Sequence, residues 1–139
     1  MCEELSNVDA LKNLGNLKTL DLSSCERLSS VDALKDLRNL RTLNLSSLGN
    51  LISIDVFKNL INLQALNLSF CEKLTSIDVL KGLNNLQHLN IEWCENLTSI
   101  DALKDFKNLQ TLSPSKNQFP TNAINELQKQ LPQMQISYE

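Results

Sequence analysis

One histidine and three scattered glycines set the first limits on this chain. Gly15, Gly49 and Gly82 form no glycine-rich loop that would cradle a phosphate, and His88 alone supplies neither a metal-binding cluster nor the base of a nucleophile–base pair. Apolar runs all fall short of the ~20 residues needed to span a membrane. The opening MCEELSNVDALKN has neither the basic nor the apolar segment of a signal peptide. Net charge is only −3, with both signs interspersed, so the basic stripe of a nucleic-acid binder is missing. Aromatics are few: Trp93, Tyr138 and four phenylalanines. These absences exclude most enzyme classes, and no cofactor or metal is expected.

Four cysteines are present without a CxxC pair. Cys2, Cys25, Cys71 and Cys94 are separated by multiples of 23, so they occupy one structural position. Leu48 stands at that position where cysteine is missing, which marks it as a site for apolar volume. The expectation is buried, free thiols acting as small hydrophobes. A disulfide between Cys2 and Cys25, or Cys71 and Cys94, is the alternative, since neighbouring strands lie only ~5 Å apart. The sequons at Asn44, Asn67 and Asn96 would place two glycans on strands. With free thiols, this leans toward a cytoplasmic setting.

What the chain has in abundance is leucine at a fixed interval. Units begin at Leu17, Leu40, Leu63, Leu86 and Leu109, each 23 residues after the last. LQALNLSFCEKLTSIDVLKGLNN and LQHLNIEWCENLTSIDALKDFKN, at 63–85 and 86–108, agree at most positions. A fixed period of this size is the mark of a solenoid. One repeat domain over 1–139 is expected: a partial repeat at 1–16, full repeats at 17–39, 40–62, 63–85 and 86–108, and a last strand with a C-terminal cap at 109–139.

Each full unit opens LxxLxL, whose final alternation is the period of a short strand. A return of this length to a parallel strand must coil round the stack. In the second half, Ile77, Leu80 and Leu83 are three apart, the spacing of a 3₁₀ turn. Asp9, Asp32, Asp55, Asp78 and Asp101 precede these turns and are expected to cap them. Lys12, Lys35, Lys58, Lys81 and Lys104, three residues on, are expected to pair with those aspartates. Asn16, Asn39, Asn62, Asn85 and Asn108 are placed to donate side-chain hydrogen bonds to backbone across repeats. After Pro114 the pattern breaks. A helix near 120–131, with Thr121 or Asn122 as N-cap, and a strand carrying Met134 and Ile136 are expected to form the cap.

LxxLxL, a cysteine after two more residues and a leucine three further on resemble the leucine-rich repeat signature. The second half, LTSIDxLKxLxNL, is similar to the short repeats of the internalin family, with one extra residue between Cys71 and Leu74. The cysteine is similar to that of cysteine-containing repeats. The resemblance covers 1–117. It implies an α/β leucine-rich repeat solenoid, a right-handed superhelix with a parallel sheet on its concave face and 3₁₀ turns on its convex face. It also implies a protein partner bound on the concave face. Met1 enters mid-repeat, without the N-terminal cap that the resemblance implies.

Strand geometry makes the second, third, fifth, seventh and eighth positions of each unit outward-facing. The early units place Thr, Asp or Asn, and Ser at the last four of these. The character changes at Phe70, His88, Asn90, Glu92 and Trp93, the candidate partner-binding residues. Exposed aromatics carry much of the energy at interfaces; alternatively, Phe70 and Trp93 fold over the sheet edge and shield Leu68 and Ile91. Glu3, Glu26, Glu72 and Glu95 form an acidic row read as a solvated face. The expected function is protein–protein interaction without catalysis. The alternative is a structural, self-associating array, or a fragment of a longer or engineered repeat protein, that pairs through an open edge near Leu17, flanked by Leu5, Val8, Leu11 and Leu14.

Overall fold

A computed structural model describes Cys2 and residues 4–138 of the chain. Each repeat contributes one strand of three residues: β1 (Thr19–Asp21), β2 (Thr42–Asn44), β3 (Ala65–Asn67), β4 (His88–Asn90) and β5 (Thr111–Ser113). The cap adds helix α1 (Thr121–Gln130) and β6 (Gln135–Ile136). The sheet order is β1-β2-β3-β4-β5-β6, every pair parallel. Register follows the period: Leu20 stands opposite Leu43, Leu43 opposite Leu66, Leu66 opposite Leu89 and Leu89 opposite Leu112. Short 3₁₀ turns close the other side, at Asp9–Leu11, Asp32–Asp36, Asp55–Asn59, Asp78–Gly82 and Asp101–Asp105. This is the leucine-rich repeat solenoid, with its sheet on the concave face.

The core is a set of leucine columns. Leu43, Leu45, Leu48, Leu51, Ile54, Phe57, Leu60 and Leu63 line the interior of one turn, and their counterparts repeat it in the next. Burying each removes a side chain worth roughly 1.5–3 kcal/mol from water. No repeat could bury its leucines alone, so stacking is what makes the fold stable. Cys25, Cys71 and Cys94 are buried free thiols, while Cys2 is exposed. The Sγ of Cys71 donates to the carbonyl of Leu45 at 3.2 Å, and that of Cys94 to Leu68 at 3.0 Å. The disulfide alternative is therefore not realised.

The asparagine ladder forms as the sequence implied. Asn39, Asn62, Asn85 and Asn108 donate to the carbonyls of Gly15, Arg38, Ile61 and Asn84 at 2.6–2.9 Å. A second ladder was not anticipated: Asn50 donates to Glu26 and Asn96 to Glu72, at 3.0 and 2.7 Å. Only two repeats carry Asn at this position, which hides the pattern.

Capping differs from expectation. Each recurring aspartate is the first residue of its turn, and the buried residue before it (Val8, Val31, Ile54, Ile77 or Ile100) holds the N-cap position. That residue must point into the core, which pushes Asp one place along. The cap oxygen comes from one residue earlier. Ser30, Ser53, Ser76 and Ser99 accept the aspartate N–H groups at 3.1–3.2 Å, and Asn7 does so for Asp9. Of the expected Asp–Lys pairs, the one formed among the described residues is Lys104–Asp101 at 2.8 Å, with Glu126 of α1 at 3.6 Å. The two partners hold the Asp101 carboxyl below and the Lys104 ammonium above their ordinary values. Pro120, rather than Thr121 or Asn122, is the N-cap of α1.

Candidate functional site

The strands end after three residues, and the backbone then turns. Asp21, Asn44, Asn67 and Asn90, at the strand ends, each accept the N–H of the residue two further on, at 2.9–3.1 Å. These are Asx turns, which mimic a backbone turn with a side-chain oxygen. The Ser23 hydroxyl and N–H hold the Asp21 carboxyl below its ordinary pKa. The turn reaches φ of 58°, 63°, 60° and 56° at Ser24, Ser47, Phe70 and Trp93. That left-handed region is unusual for residues other than Gly, Asn or Asp, above all for bulky side chains. Backbone bonds brace it: Ser24, Ser47 and Phe70 donate to Ser46, Ser69 and Glu92 of the next repeat at 2.8–2.9 Å. Trp93 donates instead to the Ser115 side chain.

This geometry separates the five candidate residues. Phe70 and Trp93 do not stand on the sheet face. They project from the left-handed turns at its edge, 46% and 49% exposed. Their rings stack, with centroids 6.0 Å apart and planes within 12°. Leu68 and Ile91 are fully buried. His88 lies on the sheet face, exposed, its Nδ1 2.9 Å from the Thr111 hydroxyl. Asn90 is half-buried, and its amide lies 3.5 Å from Glu92 Oε2. Glu92 is not outward-facing: it is 4% exposed, and Ser69, its counterpart, is 6% exposed. Ser23, Ser46 and Ser115, at the same position, are half-buried, so the seventh position is covered at least in part in every repeat.

A shallow hollow of about 300 Å³ lies on the sheet face, lined by Thr42, Asn44, Ala65, Asn67, His88 and Asn90 among others. Ala65 opens it, because flanking repeats place threonine and histidine at the same position. A larger hollow of about 890 Å³, between the last repeat and the cap, contains none of the candidate residues. No group of three or more His, Cys, Asp or Glu among the described residues is arranged to hold a metal ion.

Of the acidic row, Glu26, Glu72 and Glu95 are exposed, and Glu3 lies outside the described residues. Asn44 and Asn67, the sequon positions on the strands, are half-buried with their side-chain oxygens in Asx turns. No helix of the described residues is long and apolar enough to cross a membrane.

No family model matches the chain, and no curated protein does. Solved structures do resemble it. An internalin (inlF) of Listeria monocytogenes superposes on 96% of this chain with a TM-score of 0.80 at 23% identity. Internalin C2 of the same organism covers 94% with a TM-score of 0.78 at 28% identity. A chain of the Toll–Spatzle complex of Drosophila covers 95% with a TM-score of 0.51 at 14% identity. The chain spans 37% and 55% of the two internalins and 21% of the third. These likenesses support the leucine-rich repeat fold on which the candidate residues are arrayed.

Proposed function

We propose that this leucine-rich repeat chain is a protein-binding module, and that its partner seats on the concave face of β2–β5 and on the aromatic edge beside it. The observation that carries this reading is the stacked pair Phe70–Trp93, about half exposed at two left-handed turn positions. Ser24 and Ser47 close the same turn without a ring, so the scaffold does not require aromatics there. A bulky residue at positive φ adds strain of roughly 1 kcal/mol or more, and a half-exposed ring recovers only part of its burial energy. Two such residues on adjacent repeats are explained by a surface that becomes buried on binding.

Phe70, Trp93 and His88 make the contact in this reading. Asn90 and Glu92 hold the turn that presents Trp93. The module carries out no catalysis and uses no cofactor or metal, and residues 1–139 are read as one repeat domain. Its unreacted thiols suit a reducing compartment. Capture of partners from a lysate of the source cell tests the assignment. Wild type should retain a partner that the Phe70→Ala/Trp93→Ala variant loses at unchanged circular dichroism; equal retention by both would sink it.

One observation favours a second reading. Among the described residues β1 pairs only with β2, and Leu14 near its free edge is exposed. Such an edge is a template for another strand, so copies of the chain would associate through it. A single monomeric species in sedimentation at high concentration counts against this.

A further inference from the structure

The edge carrying Phe70 and Trp93 is not uniform. The two rings occupy equivalent positions of adjacent repeats, so Trp93 covers one face of Phe70 and the other face turns toward the repeat before it. That repeat places Ser47 where a third ring would stand, in the same left-handed conformation, at 63° against 60°. It also has Gly49 where the repeats on either side carry Glu26 and Glu72. Nothing lies within 4 Å of where a Cβ on Gly49 would be. The edge is therefore open against Phe70 past Ser47, and Glu26 and Glu72, two repeats apart and so ~9.6 Å by strand spacing, flank a slot at Gly49.

The backbone at those two glutamates is tied into the asparagine ladder: the carbonyl of Glu26 accepts from Asn50, and that of Glu72 from Asn96. Neither carboxylate is in an ion pair among the described residues. The cations nearest in sequence are already engaged. Arg27 binds Glu4 at 2.7 Å, and Lys73 donates to the side chain of Asn50 at 2.8 Å. Lys116, the counterpart of Trp93 in the next repeat, stands beyond Trp93 and away from the slot.

We propose that this slot takes the guanidinium of an arginine on the partner protein, stacked on the open face of Phe70 and flanked by Glu26 and Glu72. The inference rests on the protein-binding reading and adds the chemistry of the partner. A guanidinium is planar, continues a stack of rings and offers donors to two carboxylates at once. An ammonium is a strongly hydrated point charge that does neither as well. Positive charge over a ring face is favoured by the ring quadrupole.

The test is a titration of the full ¹⁵N-labelled chain with acetyl-Gly-Arg-Gly-amide, alongside the Lys and Gln peptides, followed by amide shifts. The Arg peptide should move Ser47, Gly49, Phe70 and Glu72 first, with a dissociation constant of roughly tens of millimolar for so small a ligand. The Lys peptide should bind more weakly and the Gln peptide not at all. Glu72→Gln should weaken the Arg peptide about threefold, the size of effect expected for one exposed charge contact. Ser47→Phe, which places a third ring in the slot at a φ that Phe70 already adopts, should abolish the local shifts. If Ser47→Phe misfolds, Glu26→Gln/Glu72→Gln serves as the second variant and should weaken binding further than Glu72→Gln alone. Shifts that are scattered, equal for the Lys and Arg peptides, or unaffected by these variants would overturn the proposal. If the peptide fails while Phe70→Ala/Trp93→Ala still abolishes partner capture, the slot alone falls. If capture is indifferent to the aromatics, the wider reading falls with it.

Discussion

Mild alkali should destabilise this protein through its buried cysteines. Cys71 and Cys94 are fully buried against leucine columns, and burial pushes their thiols up to about 11 and about 12, from an ordinary value of 9.0. Cys25 is pushed up to about 11, also first by burial, with the neighbouring Cys2 thiol contributing. In the unfolded chain a thiol loses its proton near its ordinary value; in the folded chain it keeps that proton to higher pH. Between these limits the folded state binds more protons, so stability falls as pH rises. The contribution is intact below about pH 9, begins to be lost there, and is gone above the folded values. At pH 10 each of Cys71 and Cys94 should cost roughly 1–2 kcal/mol, or about 3 kcal/mol together, with Cys25 acting in the same direction. For a domain whose total stability is about 5–15 kcal/mol, that is a large share. Guanidinium denaturation under reducing conditions, at steps from pH 7 to pH 10, measures the slope. Cys71→Ala/Cys94→Ala will start lower, because it leaves two small cavities, but should lose about 3 kcal/mol less over the same interval. Equal slopes in the variant and the wild type, whatever the intercepts, would mean that the buried thiols do not set the alkaline loss.

Other perturbations separate the scaffold's parts. Asn62→Ala removes the donor to the Arg38 carbonyl and should cost about 1 kcal/mol in denaturation. Ser76→Ala deletes the oxygen that accepts the Asp78 N–H and should cost about as much, whereas Asp78→Asn should cost far less, because the serine does the capping. Lys104→Ala should leave the denaturation midpoint within error, since its pairing with Asp101 and Glu126 is solvated and screened.

The leucine columns were legible because the same residues recur every 23 positions, and repetition averages away local ambiguity. Asn39, Asn62, Asn85 and Asn108 were legible for the same reason, since an invariant amide at a fixed place has one backbone partner to find. Ser30 and its counterparts were passed over for the aspartates because both recur beside the turn. Val31 and Ile54 take the N-cap position because they must point inward, which leaves the serine before them to supply the oxygen and the aspartate to open the turn. The left-handed turns left no mark in the sequence. Their usual signal is Gly or Asn, and here Ser24, Ser47, Phe70 and Trp93 stand in that conformation. For the candidate site, that hidden turn is what moved Phe70 and Trp93 to the edge of the sheet. Glu92, which period-two alternation places outside, is buried, whereas Ser23 and Ser46 at the same position are only half-buried. Ser47 and Gly49 carry no binding signal in the sequence, because what they contribute is missing bulk beside a ring.

Hydrogen exchange on the chain with and without a captured partner shows which face the partner covers. Binding on the concave face should add protection at Thr42–Asn44, Ala65–Asn67 and His88–Asn90, and at the turns carrying Phe70 and Trp93, with the convex turns at Asp32–Asp36, Asp55–Asn59 and Asp78–Gly82 exchanging as before. Protection gained on those convex turns while the strands and aromatic edge stay unchanged would contradict it.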